Sequence, residues 1–301
     1  MIAAGIDLGG TKIEAQIFDD TWHCVEKKRI STPETYDALL NAMTAQVGWI
    51  KSFAPTVPIG ISSAGLISQD GSALTVNLPA SGKPFASDLE EHSGTDMLFL
   101  NDCRCLALSE AIFGAGRDYS TVAAIILGTG VGGGIASDGT LLTDPKSFGG
   151  EFGHMPLPAH IVQKYNLPLS PCGCGRMGCI EWYASGPGLS RLALMFSGLH
   201  LSTPEIVQRM EHSADLRKAW ECWLEIVAEM MAAICFVVDP SVIVIGGGLS
   251  KIENLAQTLE QALGRVHLTG FETPHIAIAQ GGDASGARGA AYAAWQKKCP
   301  K

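Results

Sequence analysis

The strongest constraint on the fold is a repeat. Residues 2–6 form a short apolar run that ends in Asp7-Leu8-Gly9-Gly10-Thr11-Lys12, and residues 13–18 then alternate as a second strand. The pattern returns at residues 122–127, followed by Gly128-Thr129-Gly130-Val131-Gly132-Gly133-Gly134 and a closing Asp138-Gly139. Placing Leu8 on Leu127 also places Gly9 on Gly128 and Asp19 on Asp138, an offset of 119 residues (127 minus 8). A doubled unit of strand, glycine turn, strand and closing turn implies two related α/β halves. Such turns let backbone N–H groups approach an anion closely, so a pair of them suits a nucleotide phosphate chain clamped from both sides of a cleft. Thr11 and Lys12 add a hydroxyl donor and a cation, and Asp7 at the strand end is placed to hold Mg²⁺ through water. The first turn is not the phosphate loop of the strand-to-helix type, because a strand follows it.

Between the repeats, Pro33-Glu34 opens a helix to about Phe53, and residues 57–61 form a strand running into Ser62-Ser63-Ala64-Gly65. A polar loop follows over 77–84, and Pro84 opens a short helix to His92. A strand over 97–100 delivers Asn101-Asp102, and a helix over 103–113 follows. Ligands of α/β sheets bind at the carboxyl ends of strands, which recommends Asp102 for chemistry; the alternative is a helix N-cap. Gly114-Ala115-Gly116-Arg117 reads as the passage into the second half. Leu216, Trp220, Trp223, Val227, Met231, Ile234 and Val238 recur at three and four, giving a long helix that ends at Asp239-Pro240, its aromatic stripe a core face. A strand over 242–245 leads to Gly246-Gly247-Gly248, read as opening a helix, where backbone without side chains admits a flat ring or ribose. A glycine-rich stretch over 281–289 leads into an Ala-rich helix. The expected domains are 1–115, small and N-terminal with a helix over 289–301 returning to it, and 116–288, large.

The most specific chemistry lies in 149–181. Cys172-Gly173-Cys174 and Cys179, with glycines between them, can converge, and three thiolates with one imidazole make a closed, structural zinc site. The proposed ligands are His154, Cys172, Cys174 and Cys179, with His160 the rival imidazole; Cys-x-Cys is poor disulfide geometry. Four protein ligands leave no open position for water, so the metal would stiffen a loop whose carboxylates, Glu151 and Glu181, suit a ligand bearing several hydroxyls. The remaining cysteines (24, 103, 105, 222, 235, 299) read as buried small residues.

At 301 residues and 47% apolar composition the chain can bury a substantial core in one large or two medium domains. A net charge of −9 argues against nucleic acid as a partner. No apolar run approaches the roughly 18 residues of a membrane span. Nine cysteines, an odd number, without an export signal point to a reducing cytoplasm.

Taken together, Asp7-Leu-Gly-Gly-Thr-Lys12, Asn101-Asp102, 128–134, Glu151-Phe-Gly-His154, Cys172-Gly-Cys174…Cys179-Ile-Glu181 and Val244-Ile-Gly-Gly-Gly248 resemble the ROK family of sugar kinases over essentially the whole chain. The resemblance implies the actin-like/hexokinase ATPase fold, with two α/β domains flanking a nucleotide- and sugar-binding cleft. It implies ATP-dependent phosphorylation of a hexose or N-acetylhexosamine at its 6-hydroxyl, with ATP, Mg²⁺ and structural Zn²⁺ as cofactors. Asp102 is then the general base. Gly65, Asn77, Ser81, Asn101, Glu151, His154 and Glu181 are expected at the sugar. Asp7, Gly9, Gly10, Thr11, Lys12, Gly128, Thr129, Gly130, Gly132 and Gly133 belong to the phosphates, and Gly246, Gly247 and Gly248 to the adenosine. The 77–84 loop and the short gap from Glu151 to Cys172 look most like bacterial N-acetyl-D-glucosamine kinases, with fructokinase, mannokinase and glucokinase members near. Ser62-Ser63-Ala64-Gly65 departs from the Pro-Gly turn frequent in the family. A homodimer is implied. A sugar-responsive repressor, the other class in the family, would need a DNA-binding module before the phosphate turn, for which the residues preceding Gly5 leave no room.

Overall fold

The computed structural model describes every residue except Gln69, Val76, Lys146, Asp283, Ala284, Pro300 and Lys301. Two antiparallel strands, β1 (Ala3–Leu8) and β2 (Lys12–Phe18), form the first glycine-turn hairpin, and β3 (Cys24–Ser31) pairs antiparallel with β2. Helix α1 (Tyr36–Phe53) follows, then β4 (Ile59–Ser63), the short β5 (Leu66–Ile67) and β6 (Ala73–Leu74), α2 (Phe85–Ser93), β7 (Leu98–Asn101) and α3 (Asp102–Phe113). β4 lies parallel to both β1 and β7. The apolar residues Leu39, Leu40, Met43, Val47 and Ile50 recur along one face of α1 and pack with Ile6, Leu8, Ile13 and Ile61 of the sheet.

The second hairpin is β8 (Thr121–Leu127) with β9 (Val131–Ser137), extended by β10 (Thr140–Leu141). Then come the short helices α4 (Ala159–Tyr165) and α5 (Glu181–Ala184), α6 (Gly186–Ser197), α7 (Thr203–Arg209) and the long α8 (Ala214–Val238). β11 (Val242–Gly246), α9 (Leu255–Val266), β12 (His275–Ile278) and α10 (Ser285–Lys298) complete the chain. In α8, Leu216, Trp220, Trp223, Val227, Met231 and Ile234 are all buried. Trp220 and Trp223 stack at 5.0 Å, and Trp223 Nε1 donates to Ala184 O at 2.9 Å, so this stripe is core. The helix stops where Asp239 turns left-handed (φ 48°) before Pro240.

The repeat is visible in topology. The two sheets run β3-β2-β1-β4-β7 and β10-β9-β8-β11-β12, so each central hairpin strand has an antiparallel neighbour on one side and parallel strands on the other. The chain divides into two compact units, Met1–Gly114 with Gly134–Gly149 and Gly281–Lys301, and Ala115–Gly133 with Gly150–Gln280. The segment 134–149, expected with the large domain, thus belongs to the first unit, where α10 also lies across β1 and β4. Among the described residues no helix is long and apolar enough to cross a membrane.

Two local expectations need correction. Gly246–Gly248 does not open an α-helix: a single 3₁₀ turn over Gly248–Lys251 intervenes, and Asn254 in the left-handed region precedes α9. Cys24 and Cys299 are exposed and Cys103 is half-buried, so of the six scattered cysteines only Cys105, Cys222 and Cys235 are core. The exposed strand β3 carries no apolar alternation, and its place comes from pairing with β2.

Candidate functional site

In the first unit the β1–β2 turn closes through Gly9 N–H to Lys12 O at 3.0 Å. Thr32 stitches it from outside, its hydroxyl donating to Gly9 O at 2.7 Å and its N–H to Thr11 O at 3.1 Å. Gly10 and Thr11 are exposed, and Asn77 lies against Gly10. Asp7 accepts from the Ser62 hydroxyl at 2.9 Å. A Cβ on Gly286 of α10 would stand 2.3 Å from Asp7 Oδ1, so glycine there leaves the carboxylate its room.

Asn101 and Asp102 divide the labour at the end of β7. Asn101 is the N-cap of α3: its side chain accepts from Cys103 N–H at 3.0 Å and donates to Gly65 O at 3.0 Å. Asp102 is the first helical residue, and its Oδ1 also accepts from Cys103 N–H, at 2.9 Å. Asn101 thus occupies the N-cap position, and Asp102 shares the Cys103 N–H with it. Ser81, an expected sugar contact, is exposed and bridges to Ala73. Arg104 is fully buried and gathers the carbonyls of Gly149 (3.1 Å), Pro145 (3.0 Å), Asp144 and Ser147, fixing the segment that leads to Glu151. Ser62 and Gly286 were missed as supports of Asp7, since nothing in a serine or a glycine announces a partner far away in the chain. Of the 281–289 stretch, Asp283 and Ala284 lie outside the described residues.

In the second unit the four proposed metal ligands meet: the ligand atoms of His154, Cys172, Cys174 and Cys179 all lie within 4.8 Å of one another. Cys174 Sγ and Cys179 Sγ are 3.6 Å apart, as are Cys172 Sγ and His154 Nδ1. Two thiolates bound at roughly 2.3 Å to one tetrahedral ion would be about 3.8 Å apart, so the cluster fits zinc. Burial, with the neighbouring Cys174 and Cys172 thiols, pushes Cys179 up to about 12, whereas the Arg176 backbone hydrogen bond holds Cys174 below the ordinary thiol value. His154 Nδ1 faces the sulfurs, and Nε2 lies 3.9 Å from Glu151 Oε2. The rival His160 is exposed and pairs with Glu229 at 3.2 Å. Backbone bonds from Cys172 N–H to Arg176 O (2.8 Å) and Ile180 N–H to Met155 O (2.8 Å) close the loop.

Glu181, two residues past Cys179, opens α5, and its Oε2 accepts from Val131 N–H at 2.8 Å, in the second glycine turn. That turn is closed by Gly128 N–H to Gly130 O at 3.0 Å and anchored by Gly186 N–H to Gly128 O at 2.8 Å. Thr129 is exposed, Gly132 half-buried and Gly133 buried. Gly246 ends β11, and exposed Gly247 and Gly248 approach the turn at Leu127 and Gly128. The second unit thus brings together the thiol–imidazole cluster, Glu151, Glu181 and both glycine segments. The first gathers Asp7, Gly9–Lys12 and Asn77, and separately Gly65 with Asn101 and Asp102.

A model of the ROK family matches residues 3–297, and the chain belongs to that family. It is 40% identical over 295 residues to an N-acetyl-D-glucosamine kinase of Salmonella paratyphi B, covering 96% of this chain and 97% of the relative. It is 38% identical over 292 residues to the N-acetylgalactosamine kinase AgaK of Shewanella sp. strain ANA-3, covering 95% and 94%. The crystal structure of a ROK hexokinase from Thermus thermophilus superposes with a TM-score of 0.86 at 28% identity, covering 99% of each chain. With the two like-ordered sheets, this identifies the actin-like/hexokinase ATPase fold.

Proposed function

We propose that this chain transfers the γ-phosphoryl group of ATP to the 6-hydroxyl of an N-acetylhexosamine, N-acetyl-D-glucosamine before N-acetyl-D-galactosamine. The observation that carries the reading is the second unit's assembly of three thiols, His154, Glu151 and Glu181 on the same framework as a glycine turn. Full-length relatives acting on N-acetylhexosamines support the substrate class.

Phosphoryl transfer leaves the protein mainly positioning and charge stabilisation. Backbone N–H groups of the two glycine turns, with Thr11 and Lys12, hold the phosphates, and Gly246–Gly248 takes the adenosine side. Asp102 accepts the 6-hydroxyl proton as O6 bonds to the γ-phosphorus and ADP leaves with the electrons of the broken P–O bond. Asn101, Glu151, His154 and Glu181, with Gly65, Asn77 and Ser81, bind the sugar. Asp7, kept in place by Ser62, would hold Mg²⁺ through water; the ion neutralises phosphate charge. His154, Cys172, Cys174 and Cys179 would hold zinc, which orders their loop. The reading extends to a cytoplasmic homodimer, which light scattering in solution would test.

ADP release measured across N-acetylglucosamine, N-acetylgalactosamine, N-acetylmannosamine, glucose, mannose and fructose, scored by kcat/KM, tests the reading. The expected order puts N-acetylglucosamine first. Glucose or fructose in first place would move the chain to another branch, and no sugar-dependent release would end the proposal.

A further inference from the structure

Glu181 does more in this structure than its place beside the cysteine loop requires. Its Oε2 accepts from Val131 N–H at 2.8 Å, which ties the carboxylate to the second glycine turn where it passes into β9. Gly130 closes around it: a Cβ there would stand 2.8 Å from the same oxygen, with no atom outside Glu181 within 4 Å. From the other side Gly186 N–H holds Gly128 O at 2.8 Å, and Gly186 lies in the same short stretch of chain as Glu181. The turn therefore has two struts, both from the segment that begins two residues after Cys179. The Val131 N–H is spent on Glu181, which leaves the remaining turn N–H groups to be aimed by this bond.

We infer that Glu181 is a positioning residue for the nucleotide: it sets the second phosphate turn and so couples the cysteine loop to ATP affinity, besides any contact with sugar. The inference rests on the reading of 128–133 as a phosphate turn. A hydrogen bond to a charged acceptor carries enough free energy for roughly a tenfold change in binding. A glutamine at this position retains a carbonyl oxygen that can accept from Val131 N–H, whereas alanine leaves that N–H without its side-chain acceptor.

The experiment is calorimetric titration of a non-hydrolysable MgATP analogue into the zinc-loaded protein without sugar. Glu181→Ala should weaken analogue binding about tenfold, Glu181→Gln should hold it within about threefold, and both should retain one zinc per chain. Gly130→Ala reaches the same bond without touching the loop: it should weaken analogue binding more in the wild-type background than in the Glu181→Ala background. Unchanged affinity in Glu181→Ala, or equal losses for Ala and Gln, would overturn the inference. If Glu181→Ala loses zinc, the paired Gly130→Ala measurements in the wild-type and Glu181→Gln backgrounds decide: unchanged affinity in both overturns it, and weakening in both supports it. If the unaltered protein does not bind the analogue at all, the phosphate-turn reading fails first.

Discussion

Replacing Asp102 by Asn separates chemistry from folding. The cap of α3 is Asn101, whose bonds to Cys103 N–H and Gly65 O do not involve Asp102. An Asn at 102 has the same shape, and its Oδ1 can still accept from Cys103 N–H, now at 2.9 Å from Asp102. At the helix N-terminus folding loses a negative charge, worth about 0.3–1 kcal/mol. For a protein of this size that lowers Tm by a few degrees at most, about 4 °C. What turnover loses is a general base, a factor of roughly 10²–10⁴. That factor is about 2.7–5.4 kcal/mol in the barrier, several times the stability term. Steady-state ADP release, with Tm measured on the same preparation, should show kcat down at least about 100-fold with KM for the sugar within a few-fold. A kcat within tenfold of the wild type, or a loss of activity that simply follows unfolding, would refute the assignment.

Metal analysis should find about one zinc per chain; Cys174→Ser should lose it together with sugar affinity, while His160→Ala, which removes only the partner of Glu229, should keep it. Arg104→Leu leaves the carbonyls of Asp144, Pro145, Ser147 and Gly149 without that donor, and at about 1–3 kcal/mol for an unsatisfied buried group it should lower the urea midpoint markedly. An unchanged midpoint would dismiss the clamp. Glu14 is buried, which raises its pKa, but hydrogen bonds from Arg29 and Gln16 and the charges of Arg29 and Lys12 outweigh that and hold it below the ordinary 4.5. A carboxyl depressed on folding stabilises above its unfolded pKa and loses that contribution as pH falls through its folded value. Glu14→Gln should therefore lower Tm at pH 7, and the difference from wild type should shrink as pH falls below the ordinary 4.5; a gap that widens in acid would contradict it.

Much of the site was legible because its chemistry is local in sequence. Three thiols within eight residues must converge if their glycines turn, and they do. The doubled glycine turn also reads directly, since Leu8 and Leu127 end equivalent strands in sheets of equivalent order. Apolar spacing of three and four carried α8, and Pro33-Glu34 marked the start of α1, which begins at Tyr36. What escaped depends on distant partners. β3 is charged and exposed, so only its pairing with β2 makes it a strand. Ser62 and Gly286 support Asp7 from 55 and more residues away, and Arg104 finds its carbonyl partners 40 to 45 residues downstream. Glu181 was picked out for its acidity, but its bond to Val131, 50 residues upstream, needed coordinates.

The most direct measurement is phosphorus NMR and mass spectrometry of the products formed from ATP and N-acetyl-D-glucosamine. One new phosphate monoester on the 6-oxygen should appear, one for each ADP. Phosphate on another oxygen, or ADP with only inorganic phosphate, would contradict transfer to the 6-hydroxyl.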